Sequence, residues 1–223
     1  LGIVVSIDGI MQDFYVGEEK ESMHIISLQK GETNDFIIKL NPNIGVEGET
    51  YNMNFLAIFY PSKQPKSKGE YGNYHNISQA MKYRIQYNSS IESTIENKKI
   101  NYQEEKMTSI DLKKYIDQSE DGKNVNLLNS NSYCEITQNG KSVDELQSNS
   151  PIEIKFCGIE GNYSVVEFRD MKKTNLGKID IKKNTYSIIK REIKDVKNYF
   201  LILIPLDEGD DSIVTQSERY IVF

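Results

Sequence analysis

Two acidic loops carry the residues whose types and spacing are best suited to binding a metal ion. In the first, Asp117, Ser119 and Asp121 stand at positions one, three and five, and Gly122 stands at position six. Oxygen ligands with this spacing, followed by a glycine, open the calcium loop of an EF-hand. Position twelve is Leu128, where that loop has a bidentate Glu. The pattern predicts a weak Ca²⁺ site at most, and a solvated loop is the alternative.

The second acidic loop lies between the last two predicted strands and holds four carboxylates: Asp207, Glu208, Asp210 and Asp211. Carboxylates this close repel one another unless water or a cation screens their charges. The loop therefore predicts either a second Ca²⁺ site or a solvated hairpin. We expect no other cofactor.

A long loop over residues 61–80 combines two proline residues, several lysines and tyrosines. Loops of this length are uncommon in compact domains and often have a function. Lys66, Lys68, Tyr71 and Tyr74 supply cationic donors and aromatic faces, which suit a glycan, an anionic polymer or a protein partner. This loop is the predicted ligand-binding site, and an ordinary surface excursion is the alternative.

Catalytic motifs are missing from the sequence. It has no glycine-rich phosphate loop, no nucleophile elbow and no paired histidines on a helix. His24 and His75 are isolated from one another, and neither Cys134 nor Cys157 has a histidine nearby in the sequence. We therefore expect a protein that is not an enzyme. The two cysteines form either a disulfide or two buried thiols, since the sequence does not give their Cα separation.

The formal net charge of −6 argues against a general nucleic-acid binder, which needs a basic face to displace counterions from phosphate. The charge is unevenly distributed. Residues 1–60 hold 3 basic and 9 acidic side chains, whereas residues 61–120 hold 10 basic and 8 acidic ones. A local basic surface for an acidic partner is therefore compatible with the net charge.

The first half of the chain is predicted to be a β-sandwich. Short apolar or alternating segments are separated by turn formers such as Asp8-Gly9, and the more continuous run Asn54–Tyr60 predicts a central strand. A short helix is predicted over residues 108–117, where an N-cap residue type at the start is followed by Ile110, Leu112, Tyr115 and Ile116. The polar stretch that follows predicts a domain boundary, giving domains over residues 1–120 and 130–223.

The second half shows seven strand candidates in about 90 residues, the spacing expected of a Greek-key sandwich. Asn198–Leu203 resembles the penultimate strand of an immunoglobulin or fibronectin type III domain, with Tyr199 near the start of a tyrosine corner. The closing segment Glu218–Phe223 resembles the last strand. For the mainly β chain as a whole, we expect two β-sandwich (immunoglobulin-like) domains with a short helix near their junction. The resemblance itself covers residues 130–223. It implies no function, because this architecture hosts many roles.

These observations together favour a non-enzymatic binding or structural protein, an adhesion or scaffold module, that is secreted or at the cell surface. A carbohydrate-binding or accessory module of a glycan-active enzyme is the alternative, although the chain has no Trp for a sugar platform. The partner is expected to be a protein or a glycan and not a nucleic acid. No segment is long and apolar enough to span a bilayer. Because the chain begins with Leu1 and ends on a predicted strand, we expect it to be part of a longer protein.

Overall fold

A computed structural model describes residues 1–62, 77–91, 98–118, 122–143, 145–207 and 214–223. The chain is mainly β, as predicted, and its strands form several antiparallel sheets. The first strands are β1 (Gly2–Ile7), β2 (Ile10–Gln12), β3 (Phe14–Val16), β4 (Glu19–Glu21), β5 (His24–Ile25), β6 (Ile38–Leu40), β7 (Thr50–Ile58), β8 (Ile77–Gln86) and β9 (Gln103–Lys106). Helix α1 (Ser109–Lys113) is followed by β10 (Ile116–Gln118), β11 (Asn124–Asn126) and a 3-10 turn (Leu127–Asn129). The remaining strands are β12 (Tyr133–Gln138), β13 (Lys141–Ser142), β14 (Glu145–Leu146), β15 (Pro151–Cys157), β16 (Gly161–Arg169), β17 (Lys172–Ile181), β18 (Thr185–Glu192), β19 (Asn198–Pro205), β20 (Thr215–Gln216) and β21 (Tyr220–Val222).

Strands β1 to β8 build two sheets. The N-terminal sheet has the order β2-β1-β7-β8, with β5 also paired to β1, and the small sheet has the order β4-β3-β6. The run predicted to be a central strand lies mostly in β7, which pairs with β1 on one side and β8 on the other. Asp8 and Gly9 connect β1 to β2 with φ angles of 44° and 75°. Positive φ at both residues is the requirement of the type I′ turn that joins strands in a tight hairpin.

Two further sheets face each other across the largest hydrophobic cluster. The outer sheet has the order β13-β12-β15-β18-β9, and the inner sheet has the order β14-β21-β19-β16-β17, with β20 also paired to β19. Alternate residues of each sheet enter the cluster, for example Ile154 and Phe156 from β15 and Val165 from β16. Burial of these two faces against each other provides the core of the second half.

The centre of the inner sheet, strand β19, is buried on both faces. Tyr199, Leu201 and Leu203 of β19 contribute to the cluster against the outer sheet. Phe200, Ile202 and Ile204 of the same strand instead join Val4, Leu56 and Ile58 of the N-terminal sheet in a second cluster. The apolar run in β19 is continuous because each of its two faces is covered by another sheet.

Polar contacts also join the N-terminal hairpin to the inner sheet. The Ser164 hydroxyl donates to the carbonyl of Gly9 over 2.8 Å. The Lys173 ammonium donates to the carbonyls of Gln12 and Ser22 over 2.5 and 2.9 Å. The bonds from Ser164 and from Lys173 to Gln12, which are buried or half-buried, set the position of the hairpin on β16 and β17.

The helix begins as predicted and is shorter than predicted. Thr108 is its N-cap and forms a capping box with Asp111, in which each side chain accepts from the other residue's backbone N–H. The helix ends at Lys113, and residues 116–118, expected at the helix end and beyond it, instead form β10, which pairs with β11. Pairing in this hairpin supplies the backbone partners that a longer helix would have supplied.

The division into domains of residues 1–120 and 130–223 stays a prediction. The structure shows that β9, from the first range, hydrogen-bonds to β18 of the second range along residues 103–106. The outer sheet is therefore built from both ranges.

Candidate ligand-binding groove

A groove of about 560 Å³ lies on the face of the N-terminal sheet that points away from the inner sheet. Strands β1, β7 and β8 form its floor, and the segment leading into β6 forms one side. The residues around it are all apolar: Leu1, Ile3, Phe36, Ile38, Met53, Phe55, Leu56, Ala57, Met81 and Tyr83. Of these, the Leu56 side chain packs on the opposite face of the sheet. An open, apolar cleft of this size on the face of a sheet is typical of a site for an apolar ligand or partner segment.

The aromatic rings of the groove are not arranged as a flat platform. Phe55 and Tyr83 meet edge to face, with ring centroids 5.8 Å apart and ring planes at 89°. Phe36 is tilted against His24, with centroids 4.8 Å apart. Rings that meet edge to face or tilted do not form one flat face on which a sugar ring could stack.

Strand β8 forms the border of the groove. It lies at the end of the strand order and, within the described residues, its neighbouring strand is β7. Met81 and Tyr83 turn towards the groove and remain 54% and 50% exposed. Lys82 and Arg84 occupy the alternate positions and are also exposed. Strand β8 thus combines an apolar row and a basic row at a sheet edge.

The predicted binding loop over residues 61–80 falls largely within residues 63–76, which the structure does not describe. Lys66, Lys68, Tyr71 and Tyr74 all lie outside the described residues. Their proposed role in binding stays a prediction.

The first residue of the second acidic loop has protein partners. The Asp207 carboxylate accepts from the backbone N–H of Asn162 over 2.6 Å and from its side-chain amide over 3.3 Å. Asp207 therefore fastens the end of β19 to the start of β16. Glu208, Asp210 and Asp211 lie outside the described residues, so the Ca²⁺ site predicted there stays a prediction.

Replacing Asp207 with Ala is expected to lower the free energy of unfolding by about 1 kcal/mol, because an exposed charge-assisted hydrogen bond is lost. The loss should be the same in CaCl₂ and in EDTA, as measured by urea unfolding. A Ca²⁺-dependent stabilisation of the wild type that the variant lacks would contradict the structural role and support the metal site.

In the first acidic loop, Asp117 lies in β10 and its carboxylate accepts from the backbone N–H of Gln118 over 2.8 Å. Ser119 and Asp121 lie outside the described residues. Across the part of the chain that the structure describes, no group of three or more His, Cys, Asp or Glu side chains is placed to hold a metal ion. The Ca²⁺ site predicted at this loop also stays a prediction.

Cys134 and Cys157 are both free thiols. They lie on neighbouring strands, but Cys134 is opposite Phe156 and Cys157 is opposite Tyr133. The offset of one residue turns the two side chains to opposite faces of the outer sheet, because successive residues of a strand alternate. Of the two open alternatives, the structure therefore contains two thiols and no disulfide.

The Cys157 thiol packs with Tyr115 and Tyr186 beneath α1. Burial raises its pKa to about 11. Burial is the main cause that raises the pKa of Tyr115 far above its ordinary value of 10.0. The charge of Cys157 and a hydrogen bond to Cys157 raise this pKa further. The thiol is protonated at neutral pH, and a protonated thiol is a poor nucleophile.

The sequence contained a signal for the groove that the strand assignment alone did not use. Apolar and polar side chains alternate over Asn52–Phe55 in β7 and over Met81–Arg84 in β8. This period of two marks one apolar face in each strand. Only the structure shows that these two apolar faces adjoin, because Met81 pairs with Phe55 and Tyr83 pairs with Met53. Only the structure shows that the faces remain partly open.

No family model, curated protein or solved structure matches this chain. The class of protein is defined by the fold and the groove alone: it is a mainly β protein with several antiparallel sheets and an apolar cleft on its N-terminal sheet. Among the described residues, no helix has the length and apolar character needed to cross a membrane.

Proposed function

We propose that this is a non-enzymatic binding protein of the cell surface that holds an apolar ligand in the groove of the N-terminal sheet. The observation that carries the proposal is the groove itself, since the residues around it are all apolar and two of them, Met81 and Tyr83, stay about half exposed. Leaving such side chains in water has no benefit for folding, because burial of each would contribute about 1.5–3 kcal/mol. Because about half of each side chain is already buried, a ligand that covers the rest gains roughly half of this free energy per residue.

The proposal includes an immunoglobulin-like sandwich as the scaffold, and the strand order supports it. Immunoglobulin constant-type domains place strands A, B, E and D in one sheet and C, F and G in the other. If β12, β15, β16, β18, β19 and β21 are A, B, C, E, F and G, the outer sheet has the order A-B-E and the inner sheet has the order G-F-C. Strand β17 then extends the inner sheet beside C, and β9 takes the place of D beside E. Such sandwiches are common in cell-surface domains, which is the basis of the proposed location.

The groove is tested with the apolar fluorophore 8-anilinonaphthalene-1-sulfonate. Replacing Met81 and Tyr83 together with Gln is expected to weaken dye binding at least tenfold, because two apolar contacts are lost. The folded protein should unfold at an only slightly lower urea concentration, because about half of each side chain is already in water.

The matched control is a double replacement with Gln of Ile110 and Val125, which are 73% and 41% exposed and do not line the groove. This control should bind the dye like the wild type. Equal dye affinity in all three proteins would contradict the proposal. Glycan-array binding that survives in the groove variant would instead favour the carbohydrate-binding alternative.

A further inference from the structure

We propose that protonation of His24 strengthens ligand binding in the groove, so that the apolar ligand is held more tightly in mildly acidic than in neutral solution. The inference rests on the proposed function, because it adds regulation to the same groove. Three contacts carry it: the pairing of His24 with a strand of the groove floor, the contact of its ring with the side of the groove, and its bond to Glu21.

His24 belongs to β5 and lies on the groove face of the N-terminal sheet. It is directly opposite Ile3 of β1 in the antiparallel pairing of these two strands. Directly opposite residues of a sheet point to the same face, and Ile3 lines the groove. The side chain of His24 is 20% exposed, so most of it packs against the protein at this face.

The ring of His24 supports the side of the groove. Its centroid is 4.8 Å from that of Phe36, and the two ring planes are tilted by 46°. Phe36 lines the groove but belongs to residues 32–37, which form neither helix nor strand. The position of Phe36 therefore depends on contacts of its side chain. A cation within about 6 Å of an aromatic ring is attracted to it, so protonation of His24 holds Phe36 more firmly.

Glu21 contacts the imidazole of His24 from the small sheet. Nδ1 of His24 is 2.9 Å from Oε2 of Glu21. An ionised carboxylate only accepts hydrogen bonds, so this nitrogen donates. Glu21 lies in β4 and His24 lies in β5, and the bond therefore joins the small sheet to the N-terminal sheet beside the groove. Protonation of His24 turns this hydrogen bond into an ion pair, which is stronger.

Glu21 is the charged group in contact with the His24 ring among the described residues. The charged groups next to this pair form a separate network, in which Asp13 is 3.3 Å from Nζ of Lys20 and of Lys173. Lys173 also donates to the carbonyl of Ser22, and burial lowers its pKa. Histidine is the side chain whose charge ordinarily changes between pH 5 and 8. A measurement on the His24 ring itself separates its titration from that of Lys173.

The first test follows binding of N-phenyl-1-naphthylamine, an apolar fluorophore that carries no charge between about pH 5.5 and about pH 8. The wild type is expected to bind this dye about fivefold more tightly at the acidic end of the range. The variant His24→Gln should bind it with the weaker affinity at both ends, because Gln does not become charged. The control variant His75→Gln removes the other histidine of the chain and should keep the fivefold ratio.

The second test moves the pH at which dye affinity changes. The variant Glu21→Gln removes the carboxylate that favours the charged imidazole, so the midpoint of the change should fall by about one pH unit. Proton NMR then identifies the titrating group. The chain has two histidines, and the ring resonance of His24 is the one missing from the spectrum of His24→Gln. In the wild type this resonance should shift over the same pH range as dye affinity.

Equal dye affinity of the wild type at both ends of the range, or an unchanged ratio in His24→Gln, would overturn the inference. An unchanged midpoint in Glu21→Gln, or a His24 resonance that does not shift in this range, would overturn it as well. If the Met81 and Tyr83 replacements weaken dye binding but the wild type shows no pH dependence, the inference fails and the proposed function stands. If those replacements leave dye binding unchanged at both ends, the proposed function itself fails.

Discussion

Replacing Glu167 with Gln is expected to lower the free energy of unfolding by about 3 kcal/mol, because it removes the carboxylate from a nearly buried ionic cluster. The side chain of Glu167 is 2% exposed. It accepts from the guanidinium of Arg169 over 2.9 and 3.1 Å, from that of Arg191 over 3.2 Å and from the hydroxyl of Tyr199 over 2.9 Å. After the replacement, the two guanidinium groups between the sheets no longer have the negative charge of Glu167 as a partner. We expect a loss at the lower end of the range for breaking a buried ion pair, because both guanidinium groups are partly exposed.

The matched control is Glu153→Gln, which removes the same charge from an ion pair with Lys190 on the protein surface. That change should cost less than about 1 kcal/mol, because water screens exposed ion pairs. Both free energies are measured by urea unfolding at neutral pH. A cost at Glu167 no larger than at Glu153 would contradict the importance of the cluster.

The same cluster gives a pH dependence with a defined sign. Burial by itself raises the pKa of Glu167, but the hydrogen bond from Arg169, the charges of Arg191 and Arg169 and the hydrogen bond from Tyr199 together lower that pKa from its ordinary value of 4.5. A carboxyl whose pKa is lower in the folded state stabilises the fold above its unfolded pKa and loses this contribution as the pH falls through the folded pKa. The stability difference between wild type and Glu167→Gln should therefore be constant above about pH 5 and shrink below pH 4.5.

Replacing Gly9 with Ala is expected to lower the free energy of unfolding by about 2–4 kcal/mol. An added Cβ would stand 2.4 Å from the Cβ of Ser164 and 2.8 Å from a methyl of Leu206. The φ angle of 75° at Gly9 adds strain that any other residue would carry. Because Gly9 lies where the β1–β2 hairpin contacts the inner sheet, the clash should displace the hairpin or the sheet.

The variant Gly17→Ala separates the effect of the steric clash from the effect of the backbone strain. Gly17 has a φ angle of 64°, and a Cβ there would meet no atom within 4 Å. Its replacement should therefore show only the backbone strain, about 1 kcal/mol. In a double-mutant cycle, Ser164→Gly should recover part of the loss at Gly9, because it removes the nearest atom. Equal losses of unfolding free energy in Gly9→Ala and Gly17→Ala would show that an added Cβ at Gly9 causes no steric clash with the inner sheet.

Local features of the fold were predictable because neighbouring residues determine them. The Asp8-Gly9 turn follows from the positive φ angles that a two-residue hairpin needs. The start of α1 follows from the Thr108 cap, and the strand at Asn198–Leu203 follows from its β-branched and aromatic residues. The helix end was not predictable, since the strand partner of Ile116–Gln118 lies beyond it in sequence.

The candidate site was less predictable than the fold. The sequence drew attention to the long loop with Lys66, Lys68, Tyr71 and Tyr74, which the described residues do not include. The groove forms where strands that are far apart in sequence pair. The register of such a pair cannot be read from the sequence of either strand alone. The same holds for the cysteines, whose separation into two faces depends on an offset of a single residue.

The sequence by itself determined that the chain is mainly β, where its turns fall and that Phe200–Ile204 lies in a strand with two apolar faces, since these properties depend on residue types a few positions apart. Only the tertiary structure decided which sheet covers each face of that strand, which side chains surround Glu167 and which apolar face stays open beside β8. A period of two marks a face as apolar but carries no information about what packs against it. The partner of each face is selected by contacts between segments far apart in the chain.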